Sequence, residues 1–249
     1  MTTCVITGAG SGLGRALTLE LTGQGVFVAG IGRRREALDE TAALAVPGRF
    51  VPIVADIGNI AAVDGAFAEI TASFGPVDIL INNAAVYPHR DFLDISAEAF
   101  MQTVSINLGG LVACTAAALR GMVETGEGRI LNVATFADRV PLPASAEYSV
   151  SKGAAKILTR ALVADISDRF PRIIMNDWVP GVLATEMGTV DGIDPALAAR
   201  WGARLAMLSD PSVNGMLWFQ DQEVLPPKSL KQRVFERITL RQKKARRID

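Results

Sequence analysis

The chain has 249 residues, 49 % apolar and 20 % charged, enough for one or two globular domains. Its 25 Lys and Arg residues nearly balance 26 Asp and Glu residues, which argues against a nucleic-acid-binding protein with a broad basic surface. The one histidine excludes zinc sites with two or more His ligands, and we predict no metal site. Two cysteines are too few for a disulfide framework and favour a reducing compartment.

Targeting segments are not predicted. The N-terminus has no charged region before its first apolar run, which is unlike a signal peptide. No stretch of 18 uninterrupted apolar residues indicates a transmembrane helix. We therefore expect a cytoplasmic protein.

Short apolar runs alternate with longer segments of helical period. Strands are predicted at residues 4–6, 26–29, 50–54, 77–81, 129–133 and 172–175. Helices are predicted at residues 13–21, 35–44, 60–74, 98–124 and 148–170. Strands that alternate with long helices imply a parallel sheet covered on both faces. The predicted fold class is α/β, a doubly wound parallel sheet (Rossmann fold), as a single domain over residues 1–228.

The C-terminal segment differs from this body. Residues 228–249 hold nine basic and two acidic residues, a charge of +7, so the rest of the chain carries −8. Leu230, Val234 and Ile238 recur at helical spacing, which predicts an amphipathic helix in a basic tail over residues 229–249. The tail either docks on the acidic body of its own or a partner subunit or is a solvated terminus. Contact with anionic lipid headgroups is the less favoured third alternative.

A glycine-rich turn, residues 7–14, lies between the first strand and the first helix. Glycines permit a tight turn and let the backbone approach a pyrophosphate, while the helix N-terminus offers free N–H groups. This placement predicts a dinucleotide site. Its cofactor-binding residues are Gly8, Ser11, Gly12, Leu13 and Gly14. No Lys-Ser or Lys-Thr pair follows the last glycine, which disfavours a P-loop NTPase.

Arginines follow the second strand, where the adenosine ribose would bind. An acid there would accept hydrogen bonds from a 2′-hydroxyl and repel a 2′-phosphate. Here Arg33 and Arg34 come first and the first acid is Glu36. Because arginine pairs with phosphate bidentately, we predict NADP(H) over NAD(H), the alternative being a solvated basic turn.

A tyrosine and a lysine four residues apart open the last long helix. Tyr148 and Lys152 share a helix face, so the phenol and the ammonium can point into one cleft. A nearby ammonium favours the phenolate, so we expect a lowered pKa for Tyr148. Thr135, just beyond the fifth strand, places a hydroxyl where it can donate to a substrate carbonyl, and Asn107 lies in the preceding helix.

With these motifs, residues 3–220 resemble the compact, single-domain short-chain dehydrogenases/reductases. The resemblance implies a catalytic set of Asn107, Thr135, Tyr148 and Lys152. It further implies cofactor contacts from Asp56, Ile57, Asn83, Ala84, Pro180, Gly181, Val182 and Thr185, besides Tyr148 and Lys152. The implied reaction is hydride transfer from NADPH to a carbonyl carbon, with Tyr148 as proton donor. Thr135 would orient the oxygen, Lys152 would tune Tyr148 and hold the nicotinamide ribose, and Asn107 would position a relay water.

Three departures from the family pattern stand out. Thr135 replaces the usual Ser, and its extra methyl stiffens the side chain. Ala85 replaces a Gly in the cofactor floor. The late strand that ends in Asp-Gly-Gly is missing, and Gly215–Asp221 occupies its place. The resemblance implies a homo-oligomer, but this last departure leaves dimer and tetramer open.

Two other functions compete with an oxidoreductase acting on a small carbonyl compound or secondary alcohol. A catalytically weak dinucleotide-binding regulator or scaffold stays open because of Thr135. A nucleotide-sugar epimerase or dehydratase is disfavoured, since the chain is too short for the extra substrate domain. His89 is interpreted as an exposed loop residue or a substrate contact. Trp201, Leu205 and Leu208 form a helix face that either packs in the core or covers the substrate.

Overall fold

Eight strands and seven α-helices form the part of the chain that the computed structural model describes, residues 1–226 and 244–248. The strands are β1 (Thr3–Thr7), β2 (Phe27–Gly32), β3 (Phe50–Val54), β4 (Ile79–Asn82), β5 (Glu127–Val133), β6 (Arg172–Val179), β7 (Leu217–Phe219) and β8 (Gln222–Glu223). The helices are α1 (Gly12–Gly23), α2 (Arg35–Leu44), α3 (Ile60–Phe74), α4 (Ala97–Val104), α5 (Gly110–Thr125), α6 (Ala146–Ile166) and α7 (Pro195–Met207).

The strands form one sheet in the order β3-β2-β1-β4-β5-β6-β7-β8. All neighbours pair in parallel except β7 and β8, which are antiparallel. The direction of the strand order reverses between β1 and β4, and ligands of such sheets bind at the carboxyl ends of the strands beside this point. The predicted α/β fold with a Rossmann sheet is confirmed.

Two apolar layers cover the two faces of the sheet. Leu17, Trp178 and Ala203 belong to the layer under α1 and α7, and Phe67 and Met122 to the layer under α3 and α5. Successive strand residues alternate between the two layers, which explains why the strands are continuous apolar runs. Both cysteines are buried in these layers as small apolar side chains.

The long helix predicted over residues 98–124 is divided into α4 and α5 by a π-helical turn, Ser105–Gly109. Such turns are rare and often occur at functional sites, and this one contains Asn107. Within the described residues, the segment Ala97–Thr125 is long and apolar enough to span a membrane by length and composition alone. Its most apolar window is 44 % buried and α5 packs on α3 and β4, as expected of a core helix.

The Asp-Gly-Gly sequence is absent, as the motifs indicate, but a late strand is nevertheless present in its place as β7. Its backbone pairs with β6, and Trp218 is buried, so the strand does not depend on an Asp-Gly-Gly sequence. The chain then turns through Gln220, which has a positive φ of 54°, into β8.

The helix that carries Trp201 and Leu205 packs in the core and does not cover the substrate cleft. A Cβ at Gly202 would lie 2.7 Å from both Leu17 and Trp178, so α7 approaches α1 closely. Leu205 is buried and Trp201 packs against the same layer. The core-packing interpretation of this helix is therefore correct.

The end of the basic tail returns to the sheet. The Glu223 N–H donates to the Arg246 carbonyl (2.9 Å), and the Ile248 N–H donates to the Asp221 carbonyl (3.0 Å). Arg246 and Arg247 also lie within 3.6 Å of Asp210 and Asp221, respectively. This part of the tail docks on acidic residues of its own chain. Most of the predicted helix over residues 229–249 lies outside the described residues.

Candidate active site

One cavity of about 1570 Å³ follows the carboxyl ends of the parallel strands. The predicted site residues that border it are Gly8, Ser11, Gly12, Leu13, Arg33, Arg34, Asp56, Ile57, Asn83, Ala84, Thr135, Tyr148, Lys152, Pro180, Gly181, Val182 and Thr185. Gly14 and Asn107 lie behind its walls. Across residues 1–226 and 244–248, no cluster of three His, Cys, Asp or Glu side chains could hold a metal ion.

The glycine-rich turn has the shape of a pyrophosphate cradle. Gly8 and Gly12 have positive φ angles of 72° and 51°. A Cβ at Gly14 would lie 2.0 Å from the Gly8 carbonyl oxygen, so only glycine allows α1 to start this close to β1. The Ser11 side chain does not cap α1, which leaves the first N–H groups of the helix for a ligand. The residues present therefore fit a dinucleotide.

Two arginines at the end of β2 are available for an anion. Arg33 and Arg34 are exposed, border the cavity and form no salt bridge within the described ranges. Arg15 is different, because it binds the Gly10 carbonyl (2.7 Å) and Glu40 (2.6 Å). Arg15 thereby neutralises one acid in this corner and leaves Arg33 and Arg34 to face the cleft.

Two loops close the cofactor side of the cleft. In the loop after β4, the N–H groups of Asn83 and Ala84 each donate to the Thr7 hydroxyl at 3.0 Å. In the loop after β6, Thr185 lies against the glycine turn, since a Cβ at Gly12 would be 3.3 Å from its methyl group. The loop after β4 is thereby fixed to the carboxyl end of β1, and the loop after β6 packs on the glycine turn.

The loop after β3 forms a further wall of the cavity. Asp56 accepts a hydrogen bond from the Gly58 N–H (2.9 Å) through one carboxylate oxygen. Ile57 is buried against Gly110, where a Cβ would lie 2.7 Å from the Ile57 side chain. The loop is thus held in place while Asp56 borders the cavity.

Tyr148 and Thr135 meet at the inner end of the cavity. The Thr135 hydroxyl accepts the Ala137 N–H (3.1 Å), and both Thr135 and Tyr148 border the cavity. Burial and the neighbouring Tyr87 raise the pKa of Tyr148 to about 12, and the nearby Thr135 hydroxyl opposes this rise. Tyr148 therefore holds its proton at neutral pH.

Lys152 lies one helical turn from Tyr148 and is buried. Its Nζ donates to the Val133 carbonyl (2.8 Å). Burial lowers the pKa of Lys152 to about 8, while the Asp177 carboxylate opposes this fall. The expectation of a lowered Tyr148 pKa is not met in this structure, because loss of water around the phenol is the largest influence on that pKa.

Asn107 links the loop after β4 to α6. Its amide oxygen accepts the Val86 N–H (2.7 Å), and its amide nitrogen donates to the Val86 carbonyl (2.9 Å). The same nitrogen donates to Ser151 (3.1 Å), the neighbour of Lys152. Asn107 is thus placed to fix the cavity wall beside Lys152.

A buried polar chain behind Lys152 is not predicted from the sequence. Asn82 donates to Asn132 (2.8 Å), Asn132 donates to Thr159 (3.0 Å), and Thr159 donates to Asp177 (2.7 Å). Burial raises the pKa of Asp177 to about 7, although Thr159 and Lys156 favour the carboxylate. The one sequence signal of this hydrogen-bonded series is that the polar residues Asn176 and Asp177 lie inside the otherwise apolar β6.

Lys156, one turn beyond Lys152, is a second buried lysine that the sequence motifs do not identify. Its Nζ donates to the Thr135 carbonyl (3.0 Å) and forms an ion pair with Asp138. Lys156 thus fixes the backbone of the residue whose hydroxyl faces Tyr148. A lysine in an amphipathic helix is usually expected on the solvent-facing side, so the sequence does not predict this contact.

An aromatic stack covers Tyr148. The Tyr87 ring stacks on Tyr148 with 4.3 Å between ring centroids, and His89 stacks on Tyr87 at 3.6 Å. His89 has a positive φ of 51°, and such strained backbone is typical of functional sites. His89 is exposed as expected, but it also borders the cavity.

An ion pair with a buried carboxylate anchors the loop that carries this stack. Arg90 donates to both carboxylate oxygens of Glu147 at 3.0 and 2.8 Å. Glu147 is 1 % exposed and directly precedes Tyr148. The pair therefore connects the loop after β4 to the first turn of α6. Because the two residues are far apart in sequence, no local pattern predicts their contact.

Comparisons with known proteins agree with this geometry. The family model for short chain dehydrogenase matches residues 2–194. The chain is 33 % identical to carbonyl reductase [NADPH] 2 of Sus scrofa, over 82 % of this chain and 80 % of the relative. It is 32 % identical to L-xylulose reductase of Mus musculus, over 77 % of this chain and 75 % of the relative. It is 30 % identical to meso-2,3-butanediol dehydrogenase of Serratia marcescens, over 82 % of this chain and 79 % of the relative. The protein is a member of the short-chain dehydrogenase family.

Proposed function

We propose that this protein is an NADPH-dependent reductase of a small aldehyde or ketone, able to oxidise the secondary alcohol in reverse. The observation that carries the proposal is that Tyr148 and Thr135 border the same end of the cleft together, with the buried Lys152 one helical turn from Tyr148. The alternative function, a catalytically weak regulator, depends on Thr135 failing to replace Ser. Its hydroxyl faces Tyr148, which favours catalysis.

The chain's own residues would move a proton and hold the reacting oxygen. The cofactor supplies the hydride when bound, and the protein orients and tunes the reaction. Tyr148 donates its proton to the carbonyl oxygen, which the Thr135 hydroxyl also binds. The ammonium of Lys152 favours the phenolate that remains. We assign reprotonation to Lys152 and a water positioned by Asn107.

The residues that would hold the cofactor follow the length of the cleft. The glycine turn and the N-terminus of α1 suit the pyrophosphate, and Arg33 and Arg34 suit a 2′-phosphate. Asp56 and Ile57 would contact the adenine. Asn83, Ala84, Lys152, Pro180, Gly181, Val182 and Thr185 would contact the nicotinamide riboside. The NADPH in the printed name of the Sus scrofa relative supports the same choice of cofactor.

Substitution of Tyr148 tests the reaction. We expect Tyr148→Phe to lower kcat by at least about 1000-fold, since it removes the proton donor and leaves the ring. Its Kd for NADPH, measured by fluorescence titration, should stay within about threefold of the unaltered protein. Full turnover by Tyr148→Phe on the best substrate of a carbonyl panel would refute the assignment.

Substitution of both arginines tests the choice of cofactor. The double variant Arg33→Ala, Arg34→Ala should weaken NADPH binding about 10- to 100-fold, because it removes charge-assisted phosphate contacts. Binding of NADH should change less than about threefold in the same titration. If the unaltered protein binds NADH more tightly than NADPH, the cofactor proposal is wrong.

Exposed apolar residues on three helices bear on the assembly of the protein. Met101, Val112, Val150 and Ile157 expose apolar side chains on α4, α5 and α6. Exposed apolar side chains of this kind suit contact with a second copy of the chain, and we propose a homo-oligomer, dimer or tetramer. We also propose that the protein is cytoplasmic. Light scattering should report a mass above 26.4 kDa that falls to the monomer in Ile157→Glu. The catalytic domain would span residues 1–228, with residues 229–249 as its basic tail.

A further inference from the structure

We propose that the substrate carries a bulky apolar group near its carbonyl, best an aromatic ring, and not the hydroxyl-rich chain of a sugar or polyol. The inference deepens the proposed reductase function and rests on it. It concerns the part of the cavity that surrounds Thr135 and Tyr148.

The first observation is an apolar wall that three separate loops contribute. Phe136, Val140 and Leu142 follow β5, and all three border the cavity. Phe219 at the end of β7 packs on Phe136 with 5.4 Å between ring centroids. Tyr87, from the loop after β4, adds its ring beside Tyr148. The wall residues border the same cavity as Thr135 and Tyr148, whose hydroxyls would bind the substrate oxygen.

The second observation is that this wall is exposed. Val140 is 71 % exposed and Leu142 is 63 % exposed, although both face a concave surface. Apolar residues in a cleft, with few polar groups among them, are typical of sites that bind apolar ligands. An apolar substituent of the substrate would remove this surface from water and gain free energy from its burial.

The third observation concerns the polar groups on the same wall. Two cations lie near the Phe136 ring centroid, Arg139 at 5.5 Å and Lys156 at 5.8 Å, and the Lys156 ammonium is already bound by the Thr135 carbonyl and Asp138. Gln220, next to Phe219, is a further polar residue that borders the cavity. His89 lies outward of Tyr87 in the stack, so the ring of Tyr87 separates it from Tyr148. A ketose would bury several hydroxyls here, and each unpaired hydroxyl costs binding free energy.

Acidic and hydroxyl side chains border the same cavity elsewhere. Glu186, Thr189 and Asp191 belong to the loop that begins at Thr185, which lies against Gly12. That loop covers the cofactor side of the cleft. These groups belong to a different segment from the apolar wall, which is formed after β4, after β5 and at the end of β7.

A matched set of carbonyl compounds tests the substrate class. With saturating NADPH, kcat/KM is measured for 4-phenylbutan-2-one, butan-2-one and L-xylulose. The first two are methyl ketones that differ by a phenyl group. We expect the phenyl ketone to exceed both others by about 100-fold, since one methylene in an apolar pocket already changes kcat/KM about tenfold or more.

Two variants locate the effect on the wall. Val140→Asn should lower kcat/KM for the phenyl ketone about tenfold and change that for butan-2-one less than about twofold. The control is Val190→Asn, because Val190 is 96 % exposed and lies outside the residues that border the cavity. It should leave both substrates unchanged. Equal losses for both ketones in Val140→Asn would count against the wall as the binding surface.

The outcomes separate this inference from the proposed function. Preference for L-xylulose over the phenyl ketone would overturn the substrate class and leave the reductase standing. If none of the three compounds is reduced, the reductase proposal fails for them. In that case, the Tyr148→Phe variant is saturated with NADPH and titrated with each compound in a calorimeter to decide the substrate class. Binding of the phenyl ketone without binding of L-xylulose supports it, and any other pattern overturns it.

Discussion

The two ends of the cleft are built in different ways. On the cofactor side, the Gly8 N–H donates to the Ile31 carbonyl (2.8 Å), and Gly14 lies where no side chain fits. On the substrate side, Tyr87 stacks on Tyr148 and Arg90 binds Glu147, contacts between side chains about 60 residues apart. The cofactor side therefore depends on close approach of backbone segments, and the substrate side on contacts between side chains.

The largest effect that this contrast predicts comes from Gly14→Ala. The added Cβ would lie 2.0 Å from the Gly8 carbonyl, so the turn or the start of α1 must shift. We expect NADPH binding to weaken at least about 100-fold, with a loss of about 1–3 kcal/mol in the free energy of unfolding. Fluorescence titration and urea unfolding measure the two quantities.

Gly23 provides the matched control for this substitution. It ends the same helix, and a Cβ added there would meet no atom within 4 Å, so Gly23→Ala adds the same group in open space. We expect unchanged NADPH binding and no loss of stability. Equal behaviour of the two variants would mean that backbone approach does not determine the cofactor side.

The next effect is on the substrate side, in Glu147→Gln. The substitution removes the charge that binds Arg90, and Glu147 is buried while Arg90 is partly exposed. We expect a loss of about 2 kcal/mol in the free energy of unfolding, since removing one partner leaves a poorly solvated charge. Activity should fall while NADPH binding stays unchanged.

Glu40→Gln is the control for this pair. Glu40 also binds an arginine, at 2.6 Å, but it is exposed to solvent. Exposed salt bridges contribute about 0–1 kcal/mol, so thermal unfolding should hardly change. If Glu40→Gln costs as much stability as Glu147→Gln, burial is not what makes the Arg90 pair strong.

The same contrast explains which parts of the site can be predicted from the sequence and which cannot. The glycine turn, the arginines after β2 and the pair Tyr148 and Lys152 are patterns over a few residues, so they can be recognised without coordinates. The π-helical turn at Asn107 interrupts a segment with uniform helical period, and β7 lacks the expected motif. The polar chain that ends at Asp177 spans four elements, and nothing local in the sequence relates its members.

The pH dependence of the reaction depends on that polar chain. The Asp177 carboxylate raises the pKa of Lys152, which burial holds at about 8, so Asp177→Asn should lower it further. Lys152 then loses its proton at lower pH, and the alkaline limb of kcat/KM should move down by about one pH unit. Lys156 and Arg160 face the same carboxylate and favour its ionised form.

A second variant keeps this prediction testable if Asp177→Asn folds poorly. Thr159 donates to the Asp177 carboxylate and favours its ionised form, so Thr159→Val should raise the pKa of Asp177 above about 7. Less negative charge then faces Lys152 near neutral pH, and the alkaline limb should move in the same direction by a smaller amount. A limb that stays in place in both variants would show that Asp177 does not act on Lys152.

The smallest expected effect is that of Thr135→Ser, which restores the residue usual in the family. The Ala137 N–H binds the hydroxyl oxygen at 3.1 Å, and Lys156 fixes the backbone carbonyl of the same residue at 3.0 Å. Serine keeps both contacts and loses only the methyl, so kcat/KM should change less than about threefold. Thr135→Val keeps the shape without the hydroxyl and should lower kcat about 100- to 1000-fold. A rise of tenfold or more in Thr135→Ser would instead show that the methyl obstructs the substrate, and would favour the regulator over the reductase.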